Sequence, residues 1–279
     1  MSRLAHLASD MLISRATWGG SQNFLGARWV EWTVSRSPRA ARERVALRFL
    51  SLSPHYFYDR DLAAEADRNR RSRQVLADEL IAPLLPPGGR ALDYGCGPGY
   101  LAAAVARRAG RVDALDISRG VLACARVLNG LPNIAYQTPA EYQGEGLVDV
   151  AYSFAVVQHL RAEALATALR LLAAALRPGG TLLLHFAVPG ELGYRTEGQW
   201  TSDGSLAGWA RLRYGLNCFG RAPAELAGLV ARCGFTQVIT RPLSGSVTIP
   251  GDDIADQYVL TARRADAPVG EVAMTTDCD

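Results

Sequence analysis

The sequence predicts an α/β fold in which a mostly parallel sheet is wrapped by helices on both faces. From about residue 90, short apolar segments typical of strands alternate with longer segments of helical periodicity. The first strand runs directly into a glycine-rich turn, "DYGCGPGY", and the second ends in an acidic residue, Asp116. Strict alternation of strands and helices is typical of a doubly wound sheet with crossover helices.

The predicted elements follow one another in a regular order. The strands are "RALDYG", "RVDALDIS", "NIAYQT", "LVDVAYSFAVV" and "TLLLHFAV", and the fourth is apolar enough to be buried on both faces. Between them, "YLAAAVARRAG", "RGVLACARVLNG" and "RAEALATALRLLAAALRPGG" have helical spacing and end at glycine. A later helix, "APAELAGLVARCGF", precedes two more predicted strands, "TQVITRPL" and "DQYVLTARR".

Three segments lie outside this alternation. Residues 1–66 are predicted to form a mostly helical flank or lid, ahead of a main domain at 67–264 that opens with a helix pattern from Asp67 to about Ile81. Residues 189–217 interrupt the domain with Gly, Pro and scattered aromatic residues, which predicts an insert that caps a substrate pocket. Residues 265–279 are predicted to be a disordered tail.

The composition excludes several classes of function. The chain has 279 residues and a formal net charge of only +3. Because this charge is small, we do not expect a nucleic-acid partner. All 30 basic residues are arginine, so neither a lysine Schiff base nor a phosphate-loop lysine is available. The five cysteines form no C-x-x-C pair, so we expect no disulfide framework and no metal site.

The chain also lacks the patterns of membrane insertion and secretion. No apolar run approaches the roughly 18 residues that a membrane span needs. Charged residues such as Arg3 and Asp10 interrupt the apolar segments at the N-terminus, where a signal peptide would have its core. We therefore expect a cytoplasmic protein without a transmembrane segment.

The glycine-rich turn predicts a nucleotide-like ligand. A dinucleotide fingerprint needs a third glycine where this chain has Tyr100, and the phosphate loop is excluded by the absence of lysine. What remains is G-x-G-x-G preceded by Asp93. Asp116 closes the next strand, and the carboxyl ends of neighbouring strands form one crevice. A carboxylate at this place suits the two hydroxyls of a ribose, since charged acceptors make the stronger hydrogen bonds.

At this point the sequence resembles the class I S-adenosylmethionine (SAM) methyltransferases. The matching segments are "LDYGCGPGY", "LDIS", "SFAVVQHL" after the fourth strand and "LRPGG" before the fifth, within residues 67 to 264. The resemblance implies a Rossmann-like sheet of seven strands, with the last strand antiparallel and inserted between the fifth and the sixth. It also implies an enzyme that uses SAM.

The resemblance carries cofactor roles to particular residues. The turn from Asp93 to Gly99 would hold the methionine and ribose parts of SAM, Asp116 the ribose hydroxyls, and Ile117 the adenine. Relatives often have an acid after the third strand that binds the adenine amino group, but this chain has "TPAEY", so the contact falls to the Ala140 backbone or Glu141. The full set of expected cofactor residues is Asp93, Gly95, Cys96, Gly97, Gly99, Tyr100, Asp116, Ile117, Ala140, Glu141 and Ser153. Cys96 is expected to be a small filler and not a nucleophile, because no base is paired with it.

Two histidines are candidates for an acid–base role. His159 follows the fourth strand and His185 lies late in the fifth, so both positions open toward the crevice, and His159 is the first candidate. A structural role for either remains the alternative. Aromatic residues are the candidates for binding the substrate: Tyr56, Tyr58, Tyr194, Trp200, Trp209 and Tyr214.

The stretch after the fourth strand also bears on the acceptor. Methylases of amide or adenine nitrogens often carry an Asn/Asp-Pro-Pro-aromatic segment there, and this chain has "SFAV". We therefore expect a small-molecule acceptor, with oxygen favoured over nitrogen or carbon. An RNA or protein methylase, a SAM-binding regulatory protein without turnover and, more distantly, a nicotinamide oxidoreductase stay open. A homodimer also stays open. Three roles stay open for the aromatic segment "WVEWTV": packing against the main domain or a second subunit, contact with a membrane surface, or lining of an apolar substrate pocket.

Overall fold

The computed structural model describes residues 25–51, 61–190, 194–206, 209, 219–243 and 255–266. The predicted tail, apart from its first two residues, lies outside these ranges. So do parts of the predicted flank and insert, including Tyr56, Tyr58 and Tyr214.

A seven-stranded sheet forms the centre of the molecule. Its strands are β1 (Arg90–Tyr94), β2 (Arg111–Leu115), β3 (Ile134–Gln137), β4 (Val148–Ser153), β5 (Leu176–Ala187), β6 (Phe235–Pro242) and β7 (Gln257–Arg264). They lie in the order β3-β2-β1-β4-β5-β7-β6. The first five are parallel, and β7 runs antiparallel between β5 and β6. The predicted fold class and the predicted insertion of the last strand are confirmed.

Helices cover both faces of the sheet. Within the described residues they are α1 (Leu25–Arg36), α2 (Arg42–Ser51), α3 (Leu62–Leu76), α4 (Tyr100–Ala106), α5 (Arg119–Leu128), α6 (Ala162–Ala175), α7 (Glu197–Thr201) and α8 (Pro223–Arg232). One apolar core lies between the sheet and the α3–α4 side, and a second lies between the sheet and the α6–α8 side. Burial of β4 on both faces follows, since Val150 and Ala151 belong to opposite cores.

The helix before β5 ends earlier than its Pro-Gly-Gly sequence predicts. Helix α6 stops at Ala175, and Leu176 already pairs with Val148 of β4. The register then shifts, so that Val150 pairs with Thr181. The Pro-Gly-Gly segment is therefore a bulge inside β5, where a residue without an N–H and two flexible glycines are tolerated.

The first long helix of the main domain begins earlier than predicted. Helix α3 starts at Leu62 because Asp61 caps it, its Oδ1 accepting from the backbone N–H groups of Ala63 at 3.0 Å and Ala64 at 3.1 Å. The helix passes the expected boundary between residues 66 and 67 and continues as a wider turn over Ala77–Ile81.

The N-terminal helices pack on the main domain through α5. Val30 and Val34 of α1, with Phe49 and Leu50 of α2, are buried against Val121, Ala123 and Cys124. The outward side of α1 stays exposed and carries Trp29 and Trp32. Among the described residues, no helix is both long and apolar enough to cross a membrane.

Candidate functional site

The glycine-rich turn connects β1 to α4 at the carboxyl edge of the sheet. Gly95, Gly97 and Gly99 have φ values of 77°, 52° and 80°, in the left-handed region that favours glycine. A Cβ on Gly95 would lie 2.3 Å from Val156 Cγ2, and one on Gly99 would lie 2.3 Å from the Tyr136 hydroxyl. The first and last glycines are therefore required by the backbone and by close packing within the protein itself.

Backbone hydrogen bonds tie this turn to the end of β2. The N–H groups of Gly95 and Cys96 both donate to the Leu115 carbonyl, at 2.7 Å and 2.9 Å. The Cys96 thiol is buried, and burial raises its pKa well above the ordinary value. The thiol therefore stays protonated and fills space, as its lack of a neighbouring base predicts.

Asp116 bridges the glycine turn and the next helix. Its Oδ2 accepts from the Gly97 N–H at 3.0 Å, and its Oδ1 accepts from the Ser118 N–H at 2.9 Å. Two carboxylate oxygens have about four acceptor positions, so these two contacts leave capacity for two further donors. Burial raises the pKa of Asp116, and the two backbone hydrogen bonds oppose that rise.

Asp93 is the most unusual charged group of the crevice. It is 2% exposed, and among the described residues its Oδ2 has no hydrogen-bond partner. Burial raises its pKa to about 8; the nearby Asp116 adds to the rise, while the Tyr152 hydroxyl and the Arg73 guanidinium oppose it. A buried carboxyl with an unmet oxygen costs stability unless a ligand donates to it.

Two tyrosine hydroxyls are also buried without a hydrogen-bond partner among the described residues. These are the hydroxyls of Tyr100, at the start of α4, and of Tyr152, on β4. Arg73 of α3 is half-buried, and its charge lowers the pKa values of Asp93 and His185. The cleft beside the glycine turn therefore combines the unmet Asp93 oxygen, the Tyr152 hydroxyl and the cation of Arg73.

The expected adenine-side residues lie at the ends of β2 and β3. Ile117 is 42% exposed, which leaves an apolar surface next to Asp116. Ala140 is exposed, and Glu141 accepts from the Thr138 N–H at 2.9 Å while it pairs with Arg119. The hydrogen bond from Thr138 is the main cause that lowers the pKa of Glu141. Glu141 therefore stays charged and closes the turn after β3.

The turn after β4 contacts the glycine turn from the other side. Ser153 is buried, and its hydroxyl donates to the Tyr94 carbonyl at 2.9 Å, which joins the ends of β4 and β1. Ala155 has a φ of 59°, a left-handed value that is strained for a residue with a side chain. This bend places Val156 against Gly95.

His185 supports that bend from β5. The Ala155 N–H donates to His185 Nδ1 at 3.2 Å, which places the ring proton on Nε2. The ring stacks on Phe154 with centroids 4.1 Å apart. Burial, helped by the positive charge of Arg73, lowers the pKa of His185 to about 3, and a hydrogen bond with Gln257 opposes that shift. The imidazole is therefore neutral, and its Nδ1 is already engaged.

His159 lies at the end of a short turn, Val157–His159, that follows the strained bend. Its side chain is half-buried, and its backbone N–H donates to the Val156 carbonyl at 2.8 Å. Its charge acts on the pKa of His185, so the two rings share one neighbourhood. Both sequence candidates for acid–base chemistry are thus brought to the same side of the crevice.

The insert meets this side through a chain of polar contacts. The Gln257 amide donates to the Tyr194 hydroxyl at 3.1 Å, so β7 links His185 to the start of the described insert. Trp200 is half-buried under the Arg195 guanidinium, 4.9 Å from its ring centre, whereas Trp209 is 55% exposed. Tyr56, Tyr58 and Tyr214, the other expected substrate residues, fall outside the described ranges.

Sequence reasoning missed three contributors to the crevice. Arg73 belongs to an arginine-rich stretch, "RNRRSR", that is typical of a solvated surface, yet its charge acts on the pKa values of Asp93 and His185. In the sequence, Tyr152 is only one residue of an apolar predicted strand. Gln257 lies far along the chain from His185, with which it forms a hydrogen bond. The periodicity of β4 and β7 could have indicated which side chains of each strand point to the same face of the sheet. It could not have indicated which of these side chains contact one another. Within the described ranges no cluster of metal-ligating side chains occurs.

The residues of the crevice fit SAM. The unmet Asp93 Oδ2 suits the ammonium of the methionine part, and the half-buried Arg73 suits its carboxylate. The spare acceptor capacity of Asp116 suits a ribose diol, and the exposed Ile117 suits the flat face of adenine. The crevice lies between β1 and β4, where the strand order reverses, which is the usual ligand position in open α/β sheets.

Comparison with known proteins agrees with this interpretation. Residues 92–184 match a family model described as "Methyltransferase domain". Among curated proteins, the chain is 37% identical over 137 residues to an uncharacterized 37.1 kDa protein in a transposon of Streptomyces fradiae. That alignment covers 44% of this chain and 36% of the relative.

A second relative has a named activity. The chain is 34% identical over 116 residues to a ubiquinone biosynthesis O-methyltransferase of Xanthomonas campestris, across 39% of this chain and 48% of the relative. The chain thus spans less than half the length of both curated relatives.

A solved structure shows the same fold. Magnesium protoporphyrin IX methyltransferase from Synechocystis, with bound S-adenosylhomocysteine, superposes with a TM-score of 0.51 at 20% identity. The superposition covers 81% of this chain and 93% of the other. Together with the seven-stranded sheet, these matches show that the chain carries a class I, SAM-dependent methyltransferase domain.

Proposed function

We propose that this protein transfers a methyl group from SAM to a hydroxyl oxygen of a small molecule. One observation carries the proposal: beside the glycine turn, the buried Asp93 carboxyl has an oxygen without a partner among the described residues, close to Asp116, whose carboxylate has spare acceptor capacity. The similarity to an O-methyltransferase over 116 residues supports oxygen as the acceptor. The absence of an Asn/Asp-Pro-Pro-aromatic segment after β4 supports it independently.

The cofactor side of the crevice is proposed to bind through charge and hydrogen bonding. Asp93 receives the ammonium group of the methionine part, and Arg73 receives its carboxylate. Asp116 accepts from the ribose hydroxyls while it keeps its hydrogen bonds to Gly97 and Ser118. Ile117 packs on the adenine ring, and the backbone of Ala140 or the side chain of Glu141 contacts its edge.

The acceptor side is proposed to divide its work between the two histidines. SAM, when bound, supplies a methyl group on a positively charged sulfur, which an acceptor oxygen displaces directly. His159 takes the proton that the acceptor hydroxyl loses. His185 is neutral with Nδ1 occupied, so its part is to position the bend that carries His159.

Alignment of the reactants and proton transfer to a base lower the reaction barrier by different amounts. Alignment of two reactants can lower a barrier by roughly 7–11 kcal/mol. A well-placed base typically contributes about 10²–10⁴-fold, or roughly 3–5 kcal/mol. The rigid turns around Gly95 and Ala155 are therefore expected to contribute more than the proton transfer to His159.

The insert is proposed to form the roof of the acceptor pocket. Tyr194 is held by Gln257 of the sheet, and Trp200 lies half-buried beside it in the chain. With Trp209 and the sequence candidates Tyr56, Tyr58 and Tyr214, they offer an aromatic lining. Such a lining suits a largely apolar acceptor and keeps water from the sulfonium.

The direct test is methyl transfer itself. The purified full-length chain is incubated with methyl-labelled SAM and a fractionated host extract, and the labelled products are identified by mass. We expect label in a small molecule, on an oxygen, with equimolar S-adenosylhomocysteine. Label only in RNA or protein, or cofactor binding without any S-adenosylhomocysteine, would contradict the proposal.

A further inference from the structure

The outward side of α1 combines aromatic and basic residues. Arg28, Trp32 and Arg36 are four residues apart and therefore lie along one face of the helix, and all three are exposed. Trp29, beside them, is 55% exposed, and Trp32 is 59% exposed. The opposite face of α1 is the one that packs on α5. Two large indole rings thus point away from the core of the domain.

A groove runs between α1 and α2 next to these rings. It has a volume of about 480 Å³, and it is lined by Trp29, Thr33, Arg44, Val45, Arg48 and Phe49. Trp29 meets Phe49 edge to face, with ring centres 5.1 Å apart, and this contact forms the apolar floor. Arg44 and Arg48 are exposed one helical turn apart on α2, so both guanidinium groups can reach the rim.

The charge of this surface is not balanced by nearby acids. We call Arg28, Trp29, Trp32 and Arg36 of α1, with Arg44 and Arg48 of α2, the basic aromatic face. Within the ranges that the structure describes, none of its four arginines forms an ion pair. The acids on the same helices are Glu31, which is half-buried, and Glu43, which lies 3.9 Å from Arg70. The face is therefore cationic as well as aromatic.

We propose that the basic aromatic face docks the protein on an anionic phospholipid membrane. Indole rings favour the boundary between headgroups and acyl chains, because one edge of the ring is polar and the rest is apolar. Guanidinium groups pair with phosphates through two parallel hydrogen bonds. Exposed Trp side chains flanked by arginines supply both interactions, and the apolar groove with two arginines at its rim accepts a headgroup phosphate together with the adjoining chain.

The same observations disfavour the other occupants of this face. A second copy in a two-fold dimer would bring the four unpaired arginines of each chain toward like charges. Sequence-specific binding of a nucleic acid needs groups that read base edges, but among the described residues the only polar side chain that lines the groove besides the arginines is Thr33. The Thr33 hydroxyl already donates to the Trp29 carbonyl at 2.8 Å. The formal net charge of only +3 disfavours non-specific binding of a nucleic acid. A surface dense in phosphate with an apolar layer beneath it matches all of these features.

The test is co-sedimentation of the full-length protein with vesicles. One set contains equal parts of phosphatidylglycerol and phosphatidylcholine, and the other contains phosphatidylcholine alone. We expect binding to the anionic vesicles that weakens in high salt, and little binding to the neutral ones. The readout is binding and not methyl transfer, so its failure would leave the proposed enzymatic function untouched.

Variants separate the two parts of the face. Arg44→Gln with Arg48→Gln should weaken binding by about 25-fold, because each basic side chain at an anionic surface contributes roughly fivefold. Trp32→Ser should weaken it by roughly tenfold and remove the blue shift of tryptophan emission on vesicles. Among the residues that the structure describes, Trp32 has no ring contact of the kind that joins Trp29 to Phe49, and it is 59% exposed, so this variant is expected to fold.

A matched control lies at the opposite edge of the sheet. Ile239 and Arg241 of β6 are also an exposed apolar residue and an exposed arginine, and Ile239→Ser with Arg241→Gln should bind vesicles as the unmodified protein does. Equal loss in this control, or equal binding to neutral vesicles, overturns the proposal. The proposal is also overturned if the protein forms a dimer that Trp32→Ser dissociates and does not bind vesicles. Tighter binding of the protein to a single-stranded RNA oligomer than to anionic vesicles overturns it as well.

Discussion

The two halves of the crevice differ in how their polar groups are satisfied. On the cofactor half, formed by β1, β2 and the glycine turn, the Asp93 Oδ2 and the Tyr100 hydroxyl are buried with no partner in the described residues. On the acceptor half, formed by β4, β5, β7 and the insert, His185 and Gln257 are tied into a chain of hydrogen bonds that ends at Tyr194. The Tyr152 hydroxyl and Gln158 Oε1 on that half also lack a partner among the described residues, but they carry no charge. The carboxyl group of the first half is therefore open to a polar ligand, whereas the buried imidazole of the second is already engaged.

This difference indicates where each kind of specificity lies. Unmet buried groups gain most from a ligand that supplies the missing charge and donors, so the cofactor half should discriminate strongly by chemistry. An acceptor half whose buried histidine is already engaged, and whose expected lining is aromatic, should discriminate mainly by shape and position instead. Changes in the cofactor half should therefore alter binding, and changes in the acceptor half should alter turnover.

The largest effect is expected from Asp116→Ala. It removes a charged acceptor for two ribose hydroxyls, and each such hydrogen bond contributes roughly 1.5–3 kcal/mol. Affinity for S-adenosylhomocysteine should fall by about 10²–10⁴-fold in calorimetric titration. Asp67→Ala, an exposed carboxylate on α3, serves as the control and should bind normally. Full-strength binding by the Asp116 variant would show that the ribose lies elsewhere.

The next effect concerns turnover alone. His159→Ala should lower kcat by about 100-fold or more, because the acceptor hydroxyl then loses its proton without a positioned base. Affinity for S-adenosylhomocysteine should not change, since His159 lies on the acceptor half. Loss of cofactor binding together with turnover in this variant would contradict the separation of the crevice into a cofactor half and an acceptor half.

The raised pKa of Asp93 predicts that the free energy of unfolding depends on pH, and the lowered pKa of His185 predicts a dependence of the opposite sign. The pKa of Asp93 is raised from 3.8 to about 8, so its contribution to stability is full below its unfolded value and is lost as pH rises toward 8. The pKa of His185 is lowered from 6.5 to about 3, so its contribution is present above its unfolded value and is lost as pH falls toward 3. The two slopes oppose each other between about pH 3.8 and 6.5, where both groups differ in protonation between the folded and the unfolded protein.

Asp93→Asn isolates the first of these slopes. The free energy of unfolding of the variant, minus that of the unmodified protein, should rise by on the order of 3 kcal/mol from pH 5 to pH 7. Urea unfolding at several pH values without ligand measures the difference, with Asp67→Asn as the control. A difference that stays constant with pH would mean that Asp93 is ionised in the folded protein.

The smallest effect separates positioning from catalysis at His185. In His185→Asn the side-chain oxygen can replace Nδ1 as acceptor for the Ala155 N–H, whereas in His185→Gln the amide reaches instead toward the position of Nε2. Loss of that one hydrogen bond should cost about tenfold in kcat for Gln, while Asn keeps most of the rate and an unchanged pH profile. If Asn loses as much as His159→Ala does, His185 acts as a base.

The cofactor half could be predicted from the sequence because its residues follow strand ends. Gly95, Gly97 and Asp116 lie in local motifs, and a parallel sheet brings strand ends together whatever the rest of the chain does. The alternation of strands and helices predicts a mostly parallel sheet, whereas the seven strands with the inserted last strand were implied only by the resemblance to the class I methyltransferases. The unmet state of Asp93 could not be predicted, because it depends on how Tyr152 and Arg73 pack around it.

The acceptor half could be predicted only in part. Both histidines are candidates from the sequence, but the engagement of His185 depends on the left-handed bend at Ala155 and on Gln257 from a strand far along the chain. The early start of α3 had a signal, since Asp61 is a typical capping residue. The early start of β5 had none, because pairing of Leu176 with Val148 overrides the local tendency of Pro-Gly-Gly to end a helix.

The central claim is that the cofactor half is built to receive SAM, and a crystal structure of the complex with S-adenosylhomocysteine tests it most directly. The predicted result has both ribose hydroxyls donating to the Asp116 carboxylate and the ammonium group donating to Asp93 Oδ2. A nucleoside bound elsewhere, or bound there with Asp93 Oδ2 still lacking a donor, would contradict the account.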